Sequence, residues 1–335
     1  MTPPPWRPWG RLMWLLSRLQ PVNWSFVGCI SPEERGLAAW RTLRAAGFCD
    51  DYTLWVVDDP PRSRFHAAAR ARVAIHVESY EKDGGDPAML ERHQLLEKSD
   101  QIVSGADRVI ENSSPNLVID ITSLPKRFFF PLIRRCLQSP KLRNVVVTYT
   151  PAAKYAEGKL SEDPEPWRQL PMFGGKYPEP EDRIVVVSAG FEPLGLPDLL
   201  STDYQDAEVR VVIPTPWDPV SFDRTWRFVR SLQRNTIPLT NRVQTVSVLD
   251  APEMFDHLVA LTDGGKRYGI LAPYGPKPIS LAMCLFAAEQ DGVVYYTQPT
   301  AYNPDYTIDA AQDHEGVVTF SYAIRLAGKN TYSLA

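Results

Sequence analysis

Sulfur frameworks are the first thing this chain lacks. Its four cysteines, Cys29, Cys49, Cys136 and Cys284, contain no Cys-x-x-Cys pair, so that zinc or redox motif is excluded. Three of them sit in apolar strand or helix patterns, and buried reduced thiols in a cytoplasmic protein are expected. Histidine is sparse too. His66, His76, His93, His257 and His314 are scattered. Asp256-His257 and Asp313-His314-Glu315 could offer ligands, but their spacing fits no known metal arrangement. Neither metal nor cofactor is expected.

A surplus of positive charge is also missing. The net charge is −4 over 335 residues with no long basic block, so duplex nucleic acid is not an expected partner. No apolar run approaches the roughly 20 residues of a membrane span. The N-terminus carries Trp6, Trp9, Leu12, Met13, Trp14, Leu15 and Leu16 among Arg7, Arg11 and Arg18. That stretch is interrupted and has no small-residue cleavage site. Residues 1–22 are therefore expected to be an arm with a short amphipathic helix, docked on the domain or on a partner. Catalytic and phosphate-loop signatures are absent as well: no G-x-G-x-x-G, no Walker loop and no G-x-S-x-G elbow.

What is present is alternation. Trp24 to Ile30 reads as a buried strand, Glu33 to Ala46 as a helix and Tyr52 to Val57 as a strand. Helical stretches are predicted over 62–74 and 87–110. After a segment rich in proline (Pro164, Pro166, Pro171, Pro178, Pro180), strands over 183–190, 208–214 and 243–249 alternate with helices over 222–233 and 253–261. Residues 317–327 alternate and predict a last strand. Continuous apolar strands between helices imply a parallel sheet covered on both faces. The expectation is an α/β protein of two Rossmann-like parallel-sheet lobes in tandem, 23–155 and 183–335. Residues 156–182 would form a linker or cover loop between them.

An internal echo supports the duplication. Asn116 to Asp120 runs through Ile121-Thr122-Ser123-Leu124-Pro125-Lys126 into an apolar helix, then into Val145 to Pro151. Gly269 to Pro273 runs through Tyr274-Gly275-Pro276-Lys277 into an apolar helix, then into Val293 to Pro299. Repeats of this kind reveal copied units. Both lysines fall where a strand feeds a helix, the anion-binding end of parallel α/β sheets.

Several candidate site residues follow. Lys126 and Lys277 would hold phosphates. Thr122, Ser123, Gly275 and Ser280 would donate hydrogen bonds or admit close backbone approach, and Asp120 would accept from a ribose hydroxyl. Beside the second lysine, Tyr274 joins the set. Tyr155 and Tyr302, lying past the strands, would stack on bases, more so than Tyr149 and Tyr296 within them. Ordinary helix capping by Thr122 or Ser123 competes with the ligand role. Glu33, beside Glu34 and Arg35, and its counterpart Glu192 sit after the first strand of each half. Either could act as a base, though acids in a first helical turn also stabilise the helix dipole.

The strand-Asp-x-Thr-Ser-x-x-Lys-helix segment, Asp120 to Lys126, resembles the nucleotide-contacting turn of CARF domains, the Rossmann-like sensors of cyclic oligonucleotides in prokaryotic antiviral systems. Two such units in tandem resemble the related SAVED architecture. The first turn carries Thr122-Ser123-Leu124 in place of a Thr-Gly-Thr-like core, and the second lacks both Asp and Thr. The resemblance implies a nucleotide-type small-molecule ligand in a cleft between lobes and an effector on a partner protein. Sensing without catalysis is the expectation. The alternatives are a nucleotide hydrolase or transferase using Glu33 or Glu192, and a scaffold subunit that binds no small molecule.

Overall fold

The computed structural model describes residues 6–19, 23–49, 51–175, 183–215, 219–233 and 243–334. It divides into two compact units, one of 1–163 with 300–331 and one of 164–299 with 332–335. The chain is α/β, with two Rossmann-like parallel-sheet units in tandem.

In the first unit, Ser25–Ile30 is the central strand and every residue in it is buried, as a strand covered on both faces requires. It pairs in parallel with Asp51–Asp58 on one side and Asn116–Asp120 on the other. Leu90–Gln94 extends the sheet beyond the former, and Asn144–Tyr149 beyond the latter. Numbered in chain order, the parallel strands run 3-2-1-4-5. Phe320–Leu326 then adds antiparallel to the fifth strand, and Trp9–Arg11 pairs with it at the edge.

The second unit repeats this order. Arg183–Ser188 is central, flanked in parallel by Glu208–Thr215 and Tyr268–Pro273. Val243–Ser247 and Val293–Tyr296 continue the sheet outward, again in parallel. Its sixth strand, Arg168–Gln169, is antiparallel. Both units thus share a 3-2-1-4-5 parallel order that antiparallel pairing extends beyond the fifth strand. Crossover helices join their parallel strands, as parallel pairing demands.

Three expectations need correction. The stretch 87–110 is not one helix: Leu90–Gln94 is a strand and the helix is Ser99–Asn112. Leu90-Glu-Arg-His-Gln has no β-branched residue, so its strand state comes from pairing with Asp51–Asp58 and not from local propensity. The final strand does not belong to the second lobe. Phe320–Leu326 completes the first sheet, so 183–335 loses 300–331 to the first unit. The segment 156–182 is not a bare linker either. Leu160, Leu170 and Phe173 are buried, and Arg168–Gln169 is a sheet strand; its residues 176–182 lie outside those described.

The N-terminal arm docks on its own unit. Its helix is short, Leu12–Leu16, and buries Leu12, Leu15 and Leu16 in the core beside Trp24 and Trp40. All four cysteines are buried and none is in a disulfide. No described helix is long and apolar enough to cross a membrane. No group of three metal-ligating side chains assembles among the described residues.

Candidate functional site

In each unit the strand order reverses between the first and fourth strands, and open α/β sheets bind ligands at the carboxyl ends of that pair. The two lysines of the sequence echo sit there in the same way. Lys126 is the first residue of the helix Lys126–Gln138, behind Pro125 with φ −60° and ψ 148°. Lys277 is the first residue of Lys277–Gln290, behind Pro276 with φ −57° and ψ 158°. No side chain caps either helix. The first amides of an α-helix lack intrahelical acceptors and carry partial positive charge. A lysine at the same position adds a full charge. The connecting turns differ, five residues in the first unit and three in the second.

The rest of the first turn faces inward. Asp120 and Thr122 are fully buried. Thr122 Oγ1 donates to Asp120 Oδ1 at 2.5 Å and accepts from the Thr150 amide at 2.9 Å. Thr148 Oγ1 donates to the same carboxylate oxygen at 3.0 Å. This network stitches the fourth strand to the fifth, which corrects the reading of Asp120 as a ribose acceptor and of Thr122 as a ligand donor. Ser123 Oγ donates to the Cys29 carbonyl at 2.7 Å and fastens the turn to the first strand. Gly36 is obligatory beneath it, because a Cβ there would lie 2.6 Å from Ser123 Oγ. Lys126 is buried, and Lys277 is half-buried.

The second turn is likewise internal except at its lysine. Ser280 is buried and donates to the Gly275 and Pro276 carbonyls of its own helix start. Tyr274 is buried, with its hydroxyl 2.7 Å from Thr297 Oγ1 and its ring against Phe228 and Tyr296. Gly275 does permit a close approach, but to the first strand of its unit. Its amide donates to Ser188 Oγ at 3.0 Å, and a Cβ would meet the Ala189 carbonyl at 3.0 Å. Ser280, Tyr274 and Gly275 are therefore corrected from ligand contacts to supports of the turn.

The tyrosine pair is not symmetric between units. Tyr155 ends the strand Ala152–Tyr155 and lies edge-on to Tyr306. Burial, then the neighbouring Tyr149, raises its pKa well above the usual phenol value. Tyr302 ends Pro299–Tyr302 and is half-buried. Both belong to the first unit, so Tyr302 cannot be the second unit's equivalent of Tyr155.

Glu33 is part of a clamp. Arg35 donates to its Oε2 from Nε at 2.9 Å and Nη2 at 2.6 Å, and Thr307 Oγ1 donates to the same oxygen at 2.8 Å. Arg35 Nη1 reaches the Thr150 carbonyl at 2.6 Å, and its guanidinium lies 5.7 Å from the Tyr149 ring centre. Burial opposes the Arg35 charge, but Glu33 together with Tyr149 and Tyr155 outweighs it and raises the pKa. A carboxylate so tied to a cation is a weak base, and its role is to hold the return segment at Thr307. Glu192 is half-buried after the second unit's first strand.

Sequence reasoning missed one cluster. His93 is buried on the edge strand, with Nδ1 2.9 Å from Glu97 Oε2 and Nε2 3.5 Å from Glu91 Oε1. Arg108 also pairs with Glu91. Trp55 and Phe128 pack on the imidazole. Reading 87–110 as a helix hid this, since residues 91 and 93 share a face only in a strand. Burial alone would lower the His93 pKa, but the adjacent carboxylates of Glu91 and Glu97 outweigh it and raise it. Glu91 is pulled down to about 2 against its burial, by His93 and Arg108.

The pH consequence has a defined sign. His93 contributes fully below its ordinary value of 6.5 and loses its contribution as pH climbs through the raised folded value. Glu91 contributes above its ordinary value of 4.5 and loses it as pH falls toward about 2. Urea midpoints across pH 3–9 should therefore decline on the alkaline side in the wild type, and His93→Gln should flatten that limb. An unchanged alkaline limb in the variant would rule the cluster out as its source.

No family model matches the chain, and no curated protein matches it by sequence. Among solved structures it is similar to a crystal structure assigned to the universal stress proteins, from Pseudomonas aeruginosa UCBPP-PA14. That match has 13% identity and a TM-score of 0.25, covering 82% of this chain and 93% of the other. At that score the likeness carries no argument about function.

Proposed function

We propose that this protein is a non-catalytic sensor of a phosphate-bearing, nucleotide-type ligand, of the cyclic-oligonucleotide kind its first turn resembles, acting on a partner effector in a prokaryotic defence-type system. One observation carries the reading. Two sheets of identical 3-2-1-4-5 order each start the helix after the fourth strand with an uncapped Pro-Lys. Amides and an ammonium at the switch point suit an anion. The inward-facing threonines and serines leave those two groups as the binding elements and set their position. Ligand affinity biased toward one conformation is then what a partner would read.

Calorimetric titration of the full chain with cyclic di-, tri- and tetranucleotides tests this, comparing wild type with Lys126→Met and Lys277→Met. A charge-assisted hydrogen bond contributes about 1.5–3 kcal/mol, so each variant should weaken binding by roughly 10- to 150-fold. Absence of binding to any of these ligands, or wild-type affinity in both variants, would overturn the reading. Ligand turnover by the purified protein would replace it with the enzymatic alternative.

A further inference from the structure

A cavity of about 340 Å³ opens beside the exit of the first strand in the first unit. Three segments distant in sequence line it: the loop around Glu34, one face of the helix His66–Lys82, and the return segment 305–309. His76 ties the helix to the loop, with Nδ1 2.8 Å from the Ser31 carbonyl. A carbonyl only accepts, so that nitrogen carries the proton.

The cations at this cavity are already engaged. Arg35 holds Glu33 and the Thr150 carbonyl. Arg72 holds Asp305 and donates to the Pro304 carbonyl at 3.2 Å. Glu34 and Asp309 form no ion pair among the described residues, and both are exposed. The uncompensated charge is therefore negative and disfavours phosphate. Ile75 and Ile308 face the same space from different elements and are 61% and 50% exposed. A single exposed isoleucine needs no explanation, but two lining one cavity give it apolar walls.

We propose that this cavity takes one nucleoside unit of the ligand. The base lies between Ile75 and Ile308, and the ribose hydroxyl that the phosphodiester linkages leave free donates to the carboxylate of Glu34 or Asp309. At about 340 Å³ the cavity sits at the small end of ligand pockets, which span about 300–1,000 Å³. It therefore accepts one nucleoside unit and not a whole oligonucleotide. The phosphates are left to the Lys126 helix start, which abuts the same strand exit through Ser123 and the Cys29 carbonyl. This inference rests on the sensor reading above and adds the part of the ligand that confers selectivity.

The full chain is titrated calorimetrically with adenosine, guanosine, cytidine and uridine, and with their 5′-monophosphates. One nucleoside should bind, its 2′,3′-dideoxy counterpart at least 10-fold more weakly. The double variant Glu34→Gln, Asp309→Asn should show the same loss. Asparagine tolerates the left-handed backbone of position 309, φ 52°, and circular dichroism checks that the variant is folded. Nucleotide binding insensitive to the double variant overturns this inference and leaves the sensor reading intact. Nucleoside binding to which a phosphate adds nothing does the reverse. A cavity that takes cadaverine but no nucleoside is an amine site, and the inference falls; no binding of any probe sinks both.

Discussion

Arg35→Met lowers the unfolding free energy of the first unit by about 3–5 kcal/mol, the loss found when one partner of a buried ion pair is removed. The side chains of Arg35 and Glu33 are only 4% and 16% exposed, so solvent does little to screen them. The substitution deletes both bonds from Arg35 to Glu33 and leaves a half-buried carboxylate to which Thr307 still donates. It also strips the Thr150 carbonyl, just past the fifth strand, of its donor. Arg35→Lys recovers less than half of the loss, because one ammonium cannot reproduce a planar fork serving two acceptors. Urea unfolding monitored by Trp24, Trp40 and Trp55, all buried in this unit, reads the change. A loss below 1 kcal/mol would place the pair among screened surface bridges and remove the clamp from the account. Because Thr307 lines the cavity beside the strand exit, the same variant should also weaken whatever that cavity binds.

Gly190→Ala is the second large effect, and it acts on the other unit. A Cβ at this position would stand 2.2 Å from the Tyr274 carbonyl oxygen and 3.0 Å from its carbon. Those are backbone atoms at the start of the second Pro-Lys turn, so no flexible side chain can yield. The exit of the first strand and the turn after the fourth would have to separate. Overpacking of this kind costs about 1–3 kcal/mol and more when backbone must move. Such a shift would also disturb the Gly275 amide bond to Ser188 Oγ. The expected result is a drop of at least 2 kcal/mol in the second unit, followed through Trp167, which packs on Tyr295 there, with Lys277-dependent ligand binding lost alongside. Wild-type stability in Gly190→Ala would show that the two loops are not held in contact.

Much of the architecture is legible in the chain. The all-apolar runs at 26–30, 117–119, 184–187 and 270–272 could only be central strands of a covered parallel sheet, and they are. The Pro-Lys echo marked the start of the helix after the fourth strand in both units, since proline and the helix period are local signals. Weakly apolar edge strands were not legible. Leu90–Gln94 and Arg168–Gln169 carry charge and amide side chains, and only a neighbouring strand makes them extended. The candidate site divides in the same way. Lysines at helix starts follow from spacing. Whether a threonine or serine beside them points outward does not, because that depends on which strand end lies 3 Å away.

The sequence by itself determined the α/β class, the tandem repetition and the location of both lysines, because hydrophobic periodicity and proline act within a few residues. Tertiary structure alone decided that 300–331 returns to the first sheet, that Asp120 and Thr122 are internal braces, and that Arg35 clamps Glu33. Those outcomes depend on hydrogen bonds between residues as far apart as 274 positions for Glu33 and Thr307 and 311 for Gly10 and Ser321, and no local pattern encodes which distant donor a buried carboxylate will find.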